Sequence, residues 1–307
     1  MVEKSKYIWM GGKLVPWDDA QVHMMTHSLH YGLGAFEGIR CYKRQDGQSA
    51  IFRLHDHIQR LIDSCRIVTI TPRFSKEELI QACVDVVREN DLEACYLRPL
   101  VFVGDGEMGL YAIDNPTRTA IIAWQWGSYL GDEGLKNGIR AKVSSFTRSG
   151  VNSAMVRGKL IGQYINSILA KREAVRAGYH EAIMLDDRGY VSEASGENIF
   201  MVKNGVVYTP PLTSPILAGI TRDSVLHILG DMGATFVERT FTRDDMYIAD
   251  EIFFTGTAAE VTPVREVDDR IVGAGVPGAI TREVQARYFD IVKGSSEAYP
   301  HWLTPIR

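Results

Sequence analysis

Residues 7–10 (Tyr-Ile-Trp-Met) and 13–15 (Lys-Leu-Val) are two β-prone stretches with only Gly11-Gly12 between them. A two-residue link can join strands only as an antiparallel hairpin, and glycine supplies the positive φ that such a turn demands. The same punctuation recurs at 38–42 and 50–54, around Asp46-Gly47. Further strands read at 94–103, 119–126, 139–146, 182–186, 197–202, 206–209, 235–238 and 251–255. Helices are fewer. Residues 55–67 carry Ile58, Leu61, Ile62 and Cys65 at helical spacing, and 76–90 opens with the capping box Ser75-x-x-Glu78. Residues 160–177, stopped by Gly178, 221–232 and 279–292 complete the set. Strands that outnumber helices and pair locally predict an α+β fold with mixed, largely antiparallel sheets, not a doubly wound parallel one.

A chain of 307 residues is long for one domain. Gly127, Ser128, Gly131, Asp132 and Gly134 mark a connector at 127–137, which predicts a small first domain (1–126) and a larger second one (138–307). With 34 basic and 38 acidic residues, a net of −4, and no Lys/Arg run, the chain lacks a nucleic-acid footprint. Cys41, Cys65, Cys83 and Cys95 show no C-x-x-C pairing and read as reduced, buried thiols. The first six residues are polar, without an apolar signal core, and no stretch is long enough for a membrane span, so a cytoplasmic protein is expected.

Two motifs are rejected. Gly104-x-Gly106-x-x-Gly109 matches a dinucleotide fingerprint, but the sequence runs into Asn115-Pro116, a turn signal, where a helix should begin. His23, His27 and His30 share a helical face, yet no carboxylate or thiolate is spaced to complete a metal site. No metal is expected.

Gly158-Lys159, with Tyr164 five residues on, stands at the expected mouth of helix 160–177. Glu193 follows in the Gly/Ser-rich stretch Ser192-Glu193-Ala194-Ser195-Gly196-Glu197-Asn198, read as a turn. An amine, a phenol and an acid are what pyridoxal phosphate needs for its aldehyde, phenolate and pyridine nitrogen. Singly, each has a plainer reading: a surface lysine, a core aromatic, a solvated turn carboxylate. Their order as a set is what carries weight.

Four further motifs accompany these two: Tyr31-Gly32-x-Gly34-x-Phe36-Glu37-Gly38-Ile39-Arg40, Tyr96-x-Arg98-Pro99, Gly219-Ile220-Thr221-Arg222 and Gly256-Thr257-Ala258-Ala259-Glu260. With all six in order, the chain resembles the fold-type IV pyridoxal-phosphate enzymes, whose fold is that of D-amino-acid aminotransferase. Within them it resembles the bacterial-type branched-chain amino-acid aminotransferases, from Tyr7 to Trp302. The resemblance implies a two-domain α+β enzyme of amino-acid biosynthesis with pyridoxal 5'-phosphate as cofactor. Its reaction would exchange the amino group between leucine, isoleucine or valine and 2-oxoglutarate.

The resemblance also implies roles. Lys159 is the amine that bonds the cofactor and then carries a proton, Glu193 faces the pyridine nitrogen, and Tyr164 meets the phenolate. The phosphate falls to Gly219, Ile220 and Thr221, whose amides open a helix, to Gly256 and Thr257, and to Arg60. Arg53 and Arg66 compete with Arg60. Tyr96 and the Thr257 and Ala258 amides take the α-carboxylate, while Phe36, Gly38, Trp126, Tyr129 and Tyr164 wall the apolar pocket. Arg98, helped by Tyr31 across a subunit contact, answers glutamate's distal carboxylate. Leu110 ends a loop that leans over a partner's pocket, and Glu107 in that loop departs from the usual apolar residue. The active site is expected between the domains and completed by a second subunit, in a homodimer at minimum; the family also forms trimers of dimers.

D-amino-acid and R-selective amine aminotransferases and aminodeoxychorismate lyases share Lys159, Glu193 and the phosphate cup. Tyr31, Phe36, Gly38, Arg40 and Tyr96-x-Arg98 favour the branched-chain pattern. From another class, a nucleotide-binding α/β protein built on Gly104-x-Gly106-x-x-Gly109 would lack the yellow chromophore.

Overall fold

The computed structural model describes residues 2–127 and 129–306; Ser128 of the expected connector lies outside them, as do the terminal positions of the two expected domains. The chain forms two compact units. One comprises Met1–Trp126, Gly158–Gln163 and Ile291–Arg307, the other Gly127–Arg157 and Tyr164–Asp290.

The first unit opens with β1 (Tyr7–Met10) and β2 (Lys13–Pro16), turned by Gly11 and Gly12 at φ 62° and 100°. There follow α1 (His27–Tyr31), β3 (Gly34–Phe36), β4 (Ile39–Lys43), β5 (Ser49–Phe52), α2 (Leu54–Ile67), α3 (Lys76–Glu89), β6 (Cys95–Val103) and β7 (Thr117–Trp124). They build one antiparallel sheet in the order β5-β4-β6-β7-β1-β2, with β3 also paired to β6. The capping box at Ser75 and Glu78 is present, with both bonds made. Ile39, Cys41, Ile51, Leu97, Val101 and Ile121 share a core with Ile58, Leu61, Cys65, Leu79 and Val86 from α2 and α3. Because strand side chains alternate, Tyr96 and Arg98 stand on the face opposite Leu97.

In the second unit α4 (Asp132–Asn137) lies inside the expected connector, followed by β8 (Ile139–Val143), α5 (Tyr164–Arg176), β9 (Glu181–Leu185), β10 (Val191–Ala194), β11 (Asn198–Lys203), β12 (Val206–Thr209), α6 (Ile220–Asp231), β13 (Phe236–Glu238), α7 (Arg243–Tyr247), β14 (Glu251–Gly256), β15 (Glu260–Val267), β16 (Arg270–Ile271) and α8 (Ala279–Val292). The nine-stranded sheet runs β10-β9-β8-β15-β14-β11-β12-β13, with β16 on β15. It is mixed: β8 is parallel to β9 and β15, and β12 to β13, while the other pairs are antiparallel. The fold is α+β. A last strand, β17 (Leu303–Pro305), pairs with β5 and brings the first sheet to eight strands.

Two local expectations are corrected. Lys159 is not at the mouth of an α-helix: a 3-10 turn (Ile161–Gln163) intervenes and α5 begins at Tyr164. The reason is that 159–162 spend their backbone groups on the first unit. Phe36 N–H bonds Lys159 C=O, Leu160 bridges Ala35, and Gly162 N–H bonds Gly32 C=O. Glu193 lies on strand β10, buried, and not in a turn. The stretch 104–115 contains no helix, in keeping with the rejected fingerprint, and its next element is β7. All four cysteines are free and buried, and no helix among the described residues is long and apolar enough to cross a membrane.

Candidate active site

In the first unit Lys159 is clamped by its backbone. Its N–H donates to Ser64 Oγ on α2 (3.0 Å) and its C=O accepts from Phe36 N–H (3.0 Å). The ammonium lies 5.1 Å from the Phe36 ring centroid. Phe36 also carries the Arg98 guanidinium, 4.7 Å away. Arg98 stands near Tyr96 and Trp124 as well, at 5.4 and 6.0 Å, and donates to Tyr96 Oη at 3.3 Å. Trp126 meets Tyr96 edge-on at 4.7 Å. A Cβ at Gly38 would lie 1.8 Å from Tyr96 Oη, so glycine is what lets this phenol occupy its place. The structure thus brings Lys159, Phe36, Gly38, Tyr96, Arg98 and Trp126 into one aromatic and cationic cluster. Arg98 Nε is buried there without a hydrogen-bond partner.

Arg60, the candidate phosphate ligand, grips Glu37 with Nε to Oε1 at 2.6 Å and Nη2 to Oε2 at 2.9 Å. Its two competitors are placed elsewhere: Arg53 pairs with Asp56 and lies over Trp302, and Arg66 is exposed. Tyr31 is 44% exposed and Leu110 is 94% exposed, so within this chain neither joins the cluster. Glu107 is exposed too, its backbone tied to Asn115.

The second unit holds the remaining candidates. Glu193 receives Arg148 Nη2 on Oε1 (2.8 Å), and Asn198 Nδ2 (3.2 Å) and Leu217 N–H (3.1 Å) on Oε2. Three donors thus converge on this buried carboxylate. Asn198 also donates to Leu217 C=O, bracing the loop ahead of α6. That helix starts at Ile220 and Thr221 with Gly219 as N-cap and no side-chain cap. A Cβ on Gly219 would lie 1.9 Å from Asn198 Oδ1. Uncapped amides at a helix start suit an anion such as a phosphate. Gly256 ends β14, with Thr257 and Ala258 in the turn after it, both half-buried; Tyr164 is the first residue of α5. Tyr129, half-exposed, carries Lys171 Nζ 5.0 Å from its ring.

Sequence reasoning assigned no role to Glu37, His57, Ser64, Arg148 or Asn198. Glu37 and Asn198 stand inside the motifs quoted above, and His57 and Ser64 stand three before and four after Arg60 on the same helix. Arg148 carried no local signal.

Residues 34–267 match the family model described as amino-transferase class IV. A branched-chain-amino-acid aminotransferase of Pseudomonas aeruginosa is 50% identical over 307 residues, covering 100% of this chain and 99% of that protein. The crystal structure of the Escherichia coli branched-chain amino acid aminotransferase superposes with a TM-score of 0.96 at 45% identity, covering 99% of this chain and 100% of that one. A second crystal structure, the T.th. branched-chain amino acid aminotransferase complexed with N-(5'-phosphopyridoxyl)-L-glutamate, gives 0.94 at 41% identity, with 99% of each chain covered. A buried acid ringed by donors, an uncapped helix start and a lysine clamped by its backbone are among the kinds of group that pyridoxal phosphate calls for. On fold, motifs and relatives together, the chain belongs to the amino-transferase class IV family.

Proposed function

We propose that this protein transfers the amino group between L-leucine, L-isoleucine or L-valine and 2-oxoglutarate, with pyridoxal 5'-phosphate as its cofactor. The observation that carries the reading is the setting of Arg98, a cation enclosed by Phe36, Tyr96 and Trp124. The aromatic faces offer an aliphatic side chain dry contact, while the guanidinium can answer the second carboxylate of glutamate. The cofactor, when bound, supplies an electron sink for the carbanion formed at the substrate Cα. Lys159 Nζ would carry the proton between that carbon and C4′ of the cofactor. Glu193 holds a proton on the pyridine nitrogen, itself fixed by Arg148, Asn198 and Leu217. Ile220, Thr221, Thr257 and Arg60 hold the phosphate, and Gly219 and Gly256 let the backbone approach it. Tyr164 positions the phenolate; Tyr96 with the Thr257 and Ala258 amides orients the α-carboxylate.

The exposed Leu110 and Tyr31 are read as completing the pocket of a second copy, which makes the protein a homodimer at least. Four free, buried thiols support a cytoplasmic setting. Two domains meeting at the connector 127–137 remain the domain reading, with 158–163 and 291–306 assigned to the first. Cofactor absorbance followed through single half-reactions tests the assignment. L-leucine, L-isoleucine, L-valine and L-glutamate should each convert the cofactor, and D-amino acids and R-amines should not. Conversion by D-alanine or an R-amine at the rate of L-leucine would sink it.

A further inference from the structure

Helix α2 turns three polar side chains toward the segment that carries Lys159. His57, Arg60 and Ser64 stand at i, i+3 and i+7, so they share one face beside the buried Ile58, Leu61 and Cys65. Ser64 holds the Lys159 amide. The other two converge on Glu37, which is fully buried between β3 and β4 with its own N–H bonded to Pro99 C=O. Four donors reach its carboxylate: Arg60 Nε and Nη2 at 2.6 and 2.9 Å, His57 Nδ1 at 2.7 Å and the Gly38 amide at 3.2 Å.

We propose that Glu37 is a positioning residue for the cofactor phosphate: its fork fixes the plane of the Arg60 guanidinium, and His57 fixes Glu37 in turn. This rests on the assignment of Arg60 to the phosphate made above. Arginine's fork is planar, so two bonds to one carboxylate remove its rotational freedom and turn the Nη1 side toward whatever anion the residue meets. An arginine already held in place loses less freedom when it binds, which strengthens the complex without a new contact. Burial favours neutral His57, opposed by Glu37 and reinforced by the positive charges of Arg60 and Lys159. A neutral imidazole donates through Nδ1 and leaves Glu37 and Arg60 as a compensated pair.

The test separates phosphate from ring. Full-length protein freed of cofactor is titrated with pyridoxal 5'-phosphate and with pyridoxal, which lacks the phosphate. Glu37→Gln and Glu37→Asp, the latter keeping the charge but withdrawing it by one methylene, should each weaken pyridoxal-phosphate binding about tenfold or more. Pyridoxal binding should change less than about threefold, and in an Arg60→Met background the Glu37 substitution should add almost nothing for either ligand. Equal losses on both ligands, an undiminished effect without Arg60, or failure of both Glu37 variants to fold would overturn the proposal in favour of a structural role. Wild-type protein that binds neither ligand would instead overturn the cofactor assignment itself. Wild-type discrimination that survives Arg60→Met would remove Arg60 from the phosphate.

Discussion

Lys159 is held through its main chain, by Ser64 on one side and Phe36 on the other, so its side chain can be removed without releasing the segment. Lys159→Ala should fold, show no borohydride-fixed adduct with the cofactor and lose activity by several orders of magnitude. Recovery of a labelled peptide containing a different lysine would refute the assignment. Glu193→Gln keeps the shape but not the charge among three donors, and should slow both half-reactions by about a hundredfold or more while cofactor stays bound. Unchanged half-reaction rates would exclude its role. Arg98→Met should lower the glutamate half-reaction about thirtyfold or more and the leucine one far less; a parallel fall would make Arg98 a structural strand residue. The types at these positions were legible in the sequence, but the burial of Glu193 was not. Its donors, Arg148 and Leu217, lie far from it in sequence, and no local pattern reports them.

Among the elements, the helices were the most legible, because apolar spacing and the Ser75 cap are local signals. Strand β15 was missed, for Pro263 interrupts an otherwise β-prone run. The ladder accommodates it: β8 pairs with β15 only from Val264 onward, so at Pro263 that side of the strand asks for no N–H. Pro99 in β6 is placed on the same principle. It falls where β6 passes from β4, paired through Leu97, to β3, paired from Leu100, and its C=O accepts from Glu37. Between β3 and β4 sits Gly38, against the Tyr96 hydroxyl. Gly38→Ala should displace that ring and cut kcat/KM about tenfold or more. Tyr96→Ala removes every atom that the new Cβ would meet, so in that background Gly38→Ala should cost almost nothing further. Fully additive losses would mean that the Gly38 substitution acts on the backbone and not through Tyr96.

For the whole molecule, two buried carboxylates set opposite limits to stability. Burial opposes the charge on Glu37, but Arg60 and His57 outweigh it and hold its pKa well below the usual carboxylate range. Its contribution is therefore present above the ordinary pKa and lost as acid reaches the folded one. Burial, with Glu181 nearby, pushes Glu197 up to about 8 from 4.5. Here the folded chain binds the proton more tightly, so this contribution is full below 4.5 and lost as pH rises through 8. Urea midpoints of wild type should fall relative to Glu197→Gln as pH rises from 4.5 to about 8 and level off above it; parallel curves would show that Glu197 does not carry the effect. Neither limit could be read from sequence, since each depends on neighbours supplied by other elements. The two-unit division was legible only where composition changes, at 127–137. The returns of the chain at 158–163 and 291–306 carry no such mark, being set by pairing with Gly32, Phe36 and β5.

That last pairing imposes a timetable. Phe52 is laid beside Leu303, so the sheet to which β5 belongs cannot be finished until residue 303 has been made. The nine strands of the second sheet, β8 to β16, need not wait, and domains otherwise tend to fold in the order of their synthesis. The sheet that is encoded earlier of the two is thus the one completed last, and the β5 edge stays open to pairing with other chains for most of that interval.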